Sequence, residues 1–290
     1  MPPFHALQRT NSDGDSYWVT FSDELETVEA FEIKKVLPTL RKLEEAQSKG
    51  IHAIGWIAYE AAPAFDPGLF VHPKYPNQPL LRFTLYKTQT KGLPFRETSP
   101  FSFSKLRPGL TEKKFTESVS KIHHAIAAGE TYQVNFTYPM HGTFTGDSWD
   151  VFRKVRLAQS AQHQAYFEET DQTILCLSPE RFFKHQGSQI TCKPMKGTAR
   201  PGEENHLRTS AKDRAENIMI VDMIRNDLGK IANKGTVKTP SLYDVESHPS
   251  VVQMTSTVTA DGSPSPVDWL CALFPCASIT GAPKKKTMEW

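Results

Sequence analysis

The chain has 290 residues, 38% of them hydrophobic, and 34 Lys and Arg residues against 32 Asp and Glu residues leave a formal charge of only +2. A chain of this size and composition is expected to form one large or two modest globular domains with a substantial core. The near balance of charge argues against nucleic acid and membrane surfaces as partners, which leaves small molecules or another protein.

The N-terminal stretch MPPFHALQRTNSDGD lacks the apolar region of a secretory signal, and no run of about 18 apolar residues occurs anywhere. Export and membrane insertion are therefore not indicated, and a cytoplasmic protein is predicted. The cysteines have neither C-x-x-C spacing nor a histidine at metal-site spacing, which favours reduced thiols. They are Cys176, Cys192, Cys271 and Cys276.

The first predicted elements are a helix and a strand. The segment LPTLRKLEEAQSKG, residues 37–50, predicts a helix that ends at Gly50. The following run HAIGWIAYEAAPAF, residues 52–65, is typical of a strand. Closely spaced prolines then exclude regular helix from the connection that follows. They are Pro67, Pro73, Pro76 and Pro79.

An amphipathic helix and another strand are predicted next. Apolar residues recur at helical spacing between Lys113 and Gly129, and Gly129 suits a left-handed C-terminal cap. These apolar residues are Phe115, Val119, Ile122 and Ile126. The segment TYQVNFTY, residues 131–138, alternates apolar with uncharged polar side chains and predicts a strand. Its polar face could meet water or a ligand cavity, and alternation alone favours water.

The segment TILCLSPERFFKHQGSQITCKPMKG predicts a strand, a break at 178–179 and a hairpin that turns at 187–188. Antiparallel pairing folds Glu180 back toward Lys196. A loop with an odd number of residues, centred on Ser188, places these two directly opposite, whereas a two-residue loop places them on opposite faces. We predict the odd loop. From strand pairing alone, a cross-strand salt bridge is the simplest role for such a pair.

A long helix is predicted from about Ser210 to Leu228, with Ser210 as its N-cap and Gly229 ending it. Apolar residues lie on both sides of this helix, so we expect it to be buried nearly all round. They are Ile218, Ile220, Val221, Met223, Ile224 and Leu228.

Polar residues on that helix then need partners inside the protein, because an unpaired buried charge is costly. Arg225 can pair internally with Asp222 or Asp227. Glu216 is left without an evident cation.

The C-terminal part predicts a strand in SVVQMTSTVTADG, residues 250–262, and then a loop leading into a helix in FPCASITGAPKKKTMEW, residues 274–290. The run GAPKKKT superficially suggests a phosphate-binding loop. It lacks the spacing of the P-loop motif, so nucleotide binding is not predicted.

Several long motifs occur in a shared order: SPERF at 178–182, PMKGT at 194–198, DRAENIMIVDMIRNDLGK at 213–230, QMTSTV at 253–258 and SITGAPK at 278–284. In these motifs the sequence resembles the chorismate-utilising enzymes, and among them the group that forms aminodeoxychorismate. With GWIAYEAAPAFDP at 55–67 and GETYQVNFT at 129–137, the resemblance covers roughly residues 50–290.

The resemblance implies an α+β fold, an antiparallel two-sheet sandwich with outer helices. Residues 1–110 would be the N-terminal part of the sandwich and residues 111–290 the chorismate-binding catalytic region. Family members continue well past the equivalent of Trp290, with a second magnesium glutamate there. The chain is therefore expected to be C-terminally truncated, with uncovered apolar surface.

The activity that the resemblance implies is amination of chorismate at C4 with ammonia. Lys196 stands where anthranilate and isochorismate synthases have alanine, and Gln133 stands where isochorismate-forming relatives have a water-activating lysine. Gln253 replaces a histidine of anthranilate synthases. By the same resemblance, Lys196 would attack C2 as a neutral amine, and Glu180 would be the general acid that protonates the departing C4 hydroxyl.

The resemblance also implies a magnesium ion, held by Glu216, on the ring carboxylate of chorismate. Further substrate contacts would come from Gly197, Thr198, Gln133, Ser278 and Thr280. A separate glutamine amidotransferase subunit would supply the ammonia, for para-aminobenzoate and folate synthesis. The alternatives are component I of anthranilate synthase and a non-catalytic remnant of the family.

Overall fold

The computed structural model describes residues 4–10, 15–159, 161–248 and 251–290. In chain order, the elements of its first part are β1 His5–Thr10, β2 Ser16–Ala30, α1 Ile33–Ser48, β3 His52–Ile57, a 3-10 turn Tyr59–Ala61, α2 Ala62–Phe65, β4 Leu81–Lys91, β5 Ser102–Phe103 and β6 Arg107–Pro108. The middle part contains α3 Glu112–Ala127, β7 Gln133–Val134, β8 Met140–His141, β9 Phe144–Thr145, α4 Ser148–Gln159, β10 His163–Glu168, β11 Thr173–Ser178, β12 Lys184–Gln186, β13 Gln189–Cys192, β14 Met195–Ala199 and α5 Glu204–Thr209. The last part contains α6 Ala211–Gly229, β15 Lys238–Ser247, β16 Val252–Asp261, α7 Pro266–Leu273, α8 Ala277–Thr280, β17 Gly281–Ala282 and α9 Lys284–Thr287.

Two antiparallel sheets form the framework, which confirms the predicted α+β class. The first has six strands in the order β11-β10-β1-β2-β4-β3. The second has five strands, in which β16 pairs with β13, β14 and β15, and β12 completes the edge. Strands from both predicted regions enter the first sheet, and the division at residue 110 stays a prediction.

Helices cover the sheets with apolar stripes. Helix α1 buries Val36 and Leu40 against Leu81 of the first sheet. Helix α6 buries Ile220 and Ile224 in a second cluster that includes Trp269 of α7. Full burial of one such side chain stabilises the fold by about 1.5–3 kcal/mol, so these two clusters fix the helices to their sheets. In the part of the chain that the structure describes, no helix has the length and apolar character needed to cross a bilayer.

The helix boundaries follow the predicted capping signals. The Ser210 hydroxyl accepts from the Asp213 N–H at 3.2 Å and begins α6, as predicted. The Thr111 hydroxyl caps α3 in the same way, and Gly129, at φ +73°, follows the end of that helix. Each signal is local, so the sequence is sufficient to locate it.

Two strand predictions extend too far. The run 52–65 is a strand only to Ile57, after which Ala61 and Ala62 are buried in short helical turns. A proline at the start of α2 suits a helix, where its missing N–H needs no partner. In the segment 131–138, only Gln133–Val134 forms a strand, by pairing with β17.

The predicted solvent face of that segment is also wrong. Thr131 is fully buried, whereas Tyr132, on the apolar face, is 66% exposed. Polar side chains of the segment point inward because the chain around β17 offers them partners, including Ala282 O for the Thr131 hydroxyl at 2.9 Å. On this polar face Thr131 is buried and Gln133 and Asn135 are partly buried, whereas Thr137 is exposed.

The predicted odd hairpin loop is wrong as well. Gln186 pairs with Gln189, so the turn has two central residues, and Gly187 at φ +64° takes the position that glycine favours. Lys196 lies on β14, which pairs with β16 and not with β12. Glu180 and Lys196 are therefore not a cross-strand pair of this hairpin.

Helix α6 has an exposed side, contrary to the prediction of burial all round. Arg225 and Asp222 form the predicted pair at 3.3 Å, but their side chains are 50% and 65% exposed. The buried acidic residue is Asp227, which contacts Lys230 at 2.7 Å and Lys284 at 2.8 Å. A solvated face leaves the other side of α6 to form the core contacts.

The apolar stripe of α3 is only partly covered. Phe115 is 40% exposed and Ile126 is 39% exposed. The Phe115 ring contacts Phe136 and Tyr138 at centroid separations of 5.9 Å, and these two rings are also partly exposed. This aromatic group forms a surface of apolar character beside β7.

Candidate active site

Lys196 lies on an irregular part of β14. The register between β14 and β16 shifts between Met195 and Thr198, and Gly197 adopts φ +95°. A Cβ at residue 197 would lie 3.1 Å from both Asp213 and Leu207, so the position favours glycine sterically as well. Because of this irregularity, the orientation of Lys196 is not set by the regular alternation of side chains along the strand.

The main chain of Lys196 is held by α6. The Asn217 amide donates to Lys196 O at 3.4 Å and to Met254 O at 3.3 Å, which ties β14 and β16 to the helix. Its own oxygen accepts from the Ser256 hydroxyl at 2.6 Å. Because Asn217 is 1% exposed, these hydrogen bonds are shielded from water and favour one arrangement.

The side-chain nitrogen of Lys196 reaches a different part of the chain. Its Nζ donates to Asn135 Oδ1 at 3.2 Å. The orientation of the Asn135 amide is set by its Nδ2, which donates to Ser278 O at 2.8 Å. The lysine therefore has a neutral acceptor at its head group.

Burial lowers the pKa of Lys196, while the charges of Glu180, Glu216 and Cys276 act in the opposite direction. Desolvation disfavours the ammonium form of a lysine. The balance moves Lys196 toward the neutral amine, which is the nucleophilic form.

The pKa of Glu180 is shifted in the direction opposite to that of Lys196. Burial raises its pKa, against smaller effects of a hydrogen bond with Ser278, the charge of Lys196 and the Met195 N–H. Glu180 acts on Lys196 through its charge and not through a hydrogen bond. The Ser178 hydroxyl donates to Glu180 O at 2.8 Å and accepts from its N–H at 3.2 Å, which fixes the backbone after the predicted break.

The segment 276–280 brings the next two predicted residues to the site. Ser278 is 4% exposed, and its hydroxyl contacts Cys276 Sγ at 3.1 Å and lowers the pKa of Glu180. The Thr280 hydroxyl donates within its own turn, to Cys276 O at 3.2 Å. Thr280 and Asn135 both line an adjacent cavity of about 430 Å³.

Gln133 also lies at this site, whereas Thr198 is more peripheral. Gln133 Nε2 donates to Asn135 Oδ1 at 3.4 Å, and its buried Oε1 has no hydrogen-bond partner among the described residues. Thr198 is exposed and pairs with Gln253 across the strands. The structure thus assembles Lys196, Glu180, Gln133 and Ser278 from four separate segments.

Glu216 differs from its prediction. Its side chain is 38% exposed, and Lys212 Nζ lies 3.8 Å away, so it is neither buried nor without a cation. The cation is one turn earlier on the same helix, and its side chain is 83% exposed. Across residues 4–10, 15–159, 161–248 and 251–290, no group of three potential metal ligands occurs.

One accessible carboxylate fits what a magnesium ion requires of a protein. Magnesium keeps most of its water ligands and binds proteins through one or two carboxylates. Glu216 also influences the Lys196 amine through its charge. It is the residue here that could hold the ion.

Sequence reasoning missed Asn135, Asn217 and Cys276. Asn135 lies on the polar face of the segment 131–138, which was the one available signal for a cavity. Asn217 lies on a helix predicted to be buried nearly all round, and it was not among the polar residues singled out there. Cys276 had no partner at metal-site spacing.

The family model described as chorismate binding enzyme matches residues 6–290, so the chain belongs to this family. Solved structures of the same fold include anthranilate synthase component I from Streptococcus pneumoniae TIGR4, with a TM-score of 0.75 and 20% identity, covering 99% of this chain and 74% of that chain. The menaquinone-specific isochorismate synthase from Escherichia coli has a TM-score of 0.73 and 15% identity, covering 100% of this chain and 72% of that chain.

Curated relatives are more similar in sequence. Aminodeoxychorismate synthase component 1 of Escherichia coli (strain K12) is 41% identical over 62% of this chain and 42% of that protein. The protein of the same name from Salmonella typhimurium is 38% identical over 68% of this chain and 44% of that protein. The chain thus spans less than half the length of these relatives.

Proposed function

We propose that the chain catalyses amination of chorismate at C4 with ammonia, giving 4-amino-4-deoxychorismate for para-aminobenzoate and folate synthesis. The observation that carries this proposal is a pair of partly buried groups, the Lys196 amine and the Glu180 carboxyl, whose pKa values are moved in opposite directions. The relatives named aminodeoxychorismate synthase component 1 support the choice of reaction.

In the proposed reaction, the Lys196 nitrogen forms a bond to C2 of chorismate. The ring double bonds shift, and the C4–O bond breaks while Glu180 protonates the departing hydroxyl to water. Ammonia then forms a bond at C4, the double bonds shift back, and the C2–N bond breaks to return the neutral amine. The proton lost by the new C4 ammonium restores Glu180.

The charge state of the pair decides whether this reaction can start. A full salt bridge would hold Lys196 as an ammonium, which cannot attack, and Glu180 as a carboxylate, which cannot donate a proton. Burial opposes both charged forms here. The two groups therefore act as a coupled pair that shares one proton.

Other groups are proposed to bind and orient chorismate. Glu216 would hold a magnesium ion, which, when bound, neutralises the ring carboxylate of chorismate. The Ser278 hydroxyl lowers the pKa of the Glu180 carboxyl and so favours its carboxylate form. Gly197, Thr198, Gln133 and Thr280 are proposed as substrate contacts. A glutamine amidotransferase subunit is the proposed ammonia source, in keeping with relatives named component 1.

The experiment supplies the full-length protein with chorismate, magnesium and ¹⁵N-labelled ammonia, and identifies the product by mass spectrometry. Labelled 4-amino-4-deoxychorismate is expected, together with a chorismate-derived mass increase on the peptide that contains Lys196. Labelled anthranilate would contradict the choice of reaction. Calorimetry that shows no chorismate binding would instead favour the non-catalytic alternative.

A further inference from the structure

The amide of Asn135 stands between the catalytic lysine and the segment that holds the catalytic acid. We propose that Asn135 is a positioning residue, which aims the Lys196 amine with a neutral acceptor and sets it relative to Glu180. The inference rests on the proposed function, because it assigns Lys196 as the nucleophile.

The geometry leaves the Asn135 amide one orientation. The backbone N–H of Asn135 donates to Thr280 O at 3.0 Å, and the side-chain Nδ2 donates to Ser278 O at 2.8 Å. Only Oδ1 can then face the lysine, which donates to it at 3.2 Å. Gln133 Nε2 donates to the same oxygen at 3.4 Å and restricts it further.

The segment that holds Asn135 also acts on Glu180. Ser278 offers its carbonyl to Asn135, and its hydroxyl lowers the pKa of the Glu180 carboxyl against the larger effect of burial. Nucleophile and acid are therefore set relative to one short segment, although Asn135 and Lys196 are 61 positions apart in the chain. Reaction rates depend steeply on such alignment, since misplacement by about 1 Å can reduce a rate about 100-fold.

A neutral acceptor suits a nucleophilic amine better than a carboxylate would. An amine can donate one N–H to the amide oxygen and keep its lone pair free for attack. The charged or titratable groups that influence Lys196 are Glu180, Glu216 and Cys276, all of which favour the ammonium form. A further negative charge at 3.2 Å would strengthen that effect.

The first test measures the protonation of the Lys196 amine in the absence of chorismate. The pH dependence of its acetylation by acetic anhydride is followed by peptide mass spectrometry in the wild type, Asn135→Asp and Asn135→Leu. At pH values below the wild-type midpoint, Asn135→Asp should reduce the rate of Lys196 acetylation about 10-fold or more. The reason is that an opposite charge within about 4–6 Å shifts a pKa by about 1–3 units. Asn135→Leu should move the midpoint toward lower pH.

Asn205→Asp is the matched control, since Asn205 is exposed on α5 and receives the same added charge. Its Lys196 profile should equal that of the wild type. Midpoints that coincide in all four proteins would overturn the proposal. If circular dichroism shows that one Asn135 variant fails to fold, the direction in which the other variant shifts the labelling midpoint decides whether the proposal holds.

Turnover separates positioning from a change of charge. Asn135→Leu should lose about 10- to 100-fold in kcat although more of its lysine is neutral. Unchanged kcat in this variant would overturn the positioning role. Failure of the wild type to turn over chorismate would contradict the proposed function, while leaving the labelling result interpretable.

Discussion

Two partly buried cations in this chain are held in opposite ways. Arg82, on β4 of the first sheet, contacts three carboxylates: Glu29 at 2.5 Å, Glu169 at 2.6 Å and Asp171 at 2.5 Å. Lys196, in the second sheet, contacts an uncharged amide at 3.2 Å. The hydrogen bond with Asp171, foremost, raises the pKa of Arg82, whereas burial lowers that of Lys196.

The difference shows how environment assigns a role to a basic residue. An arginine surrounded by carboxylates stays charged and stabilises the arrangement of strands and loop around it. A lysine that is desolvated and given a neutral partner loses its proton at a lower pH than an exposed lysine does. The charge in the first sheet is structural, and the lowered pKa of the lysine in the second sheet supports the proposed reaction.

The largest expected effect is on turnover at Lys196. Both Lys196→Ala and Lys196→Arg should reduce formation of 4-amino-4-deoxychorismate about 1000-fold or more, because neither offers a neutral amine. The arginine variant keeps a positive charge and a long side chain, so it separates nucleophilicity from charge. Product formation followed by mass spectrometry checks this, and wild-type turnover in Lys196→Arg would remove the covalent step.

The next largest effect is on stability at Arg82. Arg82→Met should lower the free energy of unfolding by about 3 kcal/mol, because it leaves Glu169, 6% exposed at its side chain, without its cation. Urea denaturation measures the change. Arg225→Met, which removes an exposed pair, should cost only about 0–1 kcal/mol. Equal losses in the two variants would show that the Arg82 network is not structurally special.

The smallest effect is a pH-dependent gain in stability. Between the lowered pKa of native Lys196 and the ordinary lysine pKa, the unfolded chain binds more protons, so the stability of the wild type should rise with pH there. Lys196→Met should therefore be more stable than the wild type near neutral pH, with the advantage shrinking as the pH rises through that window.

Denaturant titrations at several pH values measure this gain. Lys212→Met is the control, since the Lys212 side chain is 83% exposed and its removal should show no such trend. A Lys196→Met advantage that is constant with pH would mean that packing, and not the ionisation of the lysine, is responsible.

Local signals in the sequence located the start of α6 and the end of α3. The predicted caps at Ser210 and Gly129 involve residues within one turn of a helix end, so short-range hydrogen bonding and backbone preference were enough. Family motifs likewise singled out Lys196 and Glu180 before any geometry was known. The antiparallel α+β class followed from the same resemblance.

Tertiary structure alone decided how the site is arranged. A two-residue turn at Gly187 replaced the expected odd loop, and Lys196 lies on β14, which pairs with β16 and not with the hairpin strand β12. Asn135 meets Lys196 across 61 positions of sequence, through a segment bound to Ser278. Contacts of this kind depend on the packing of distant segments, and residue patterns within one segment carry no information about them.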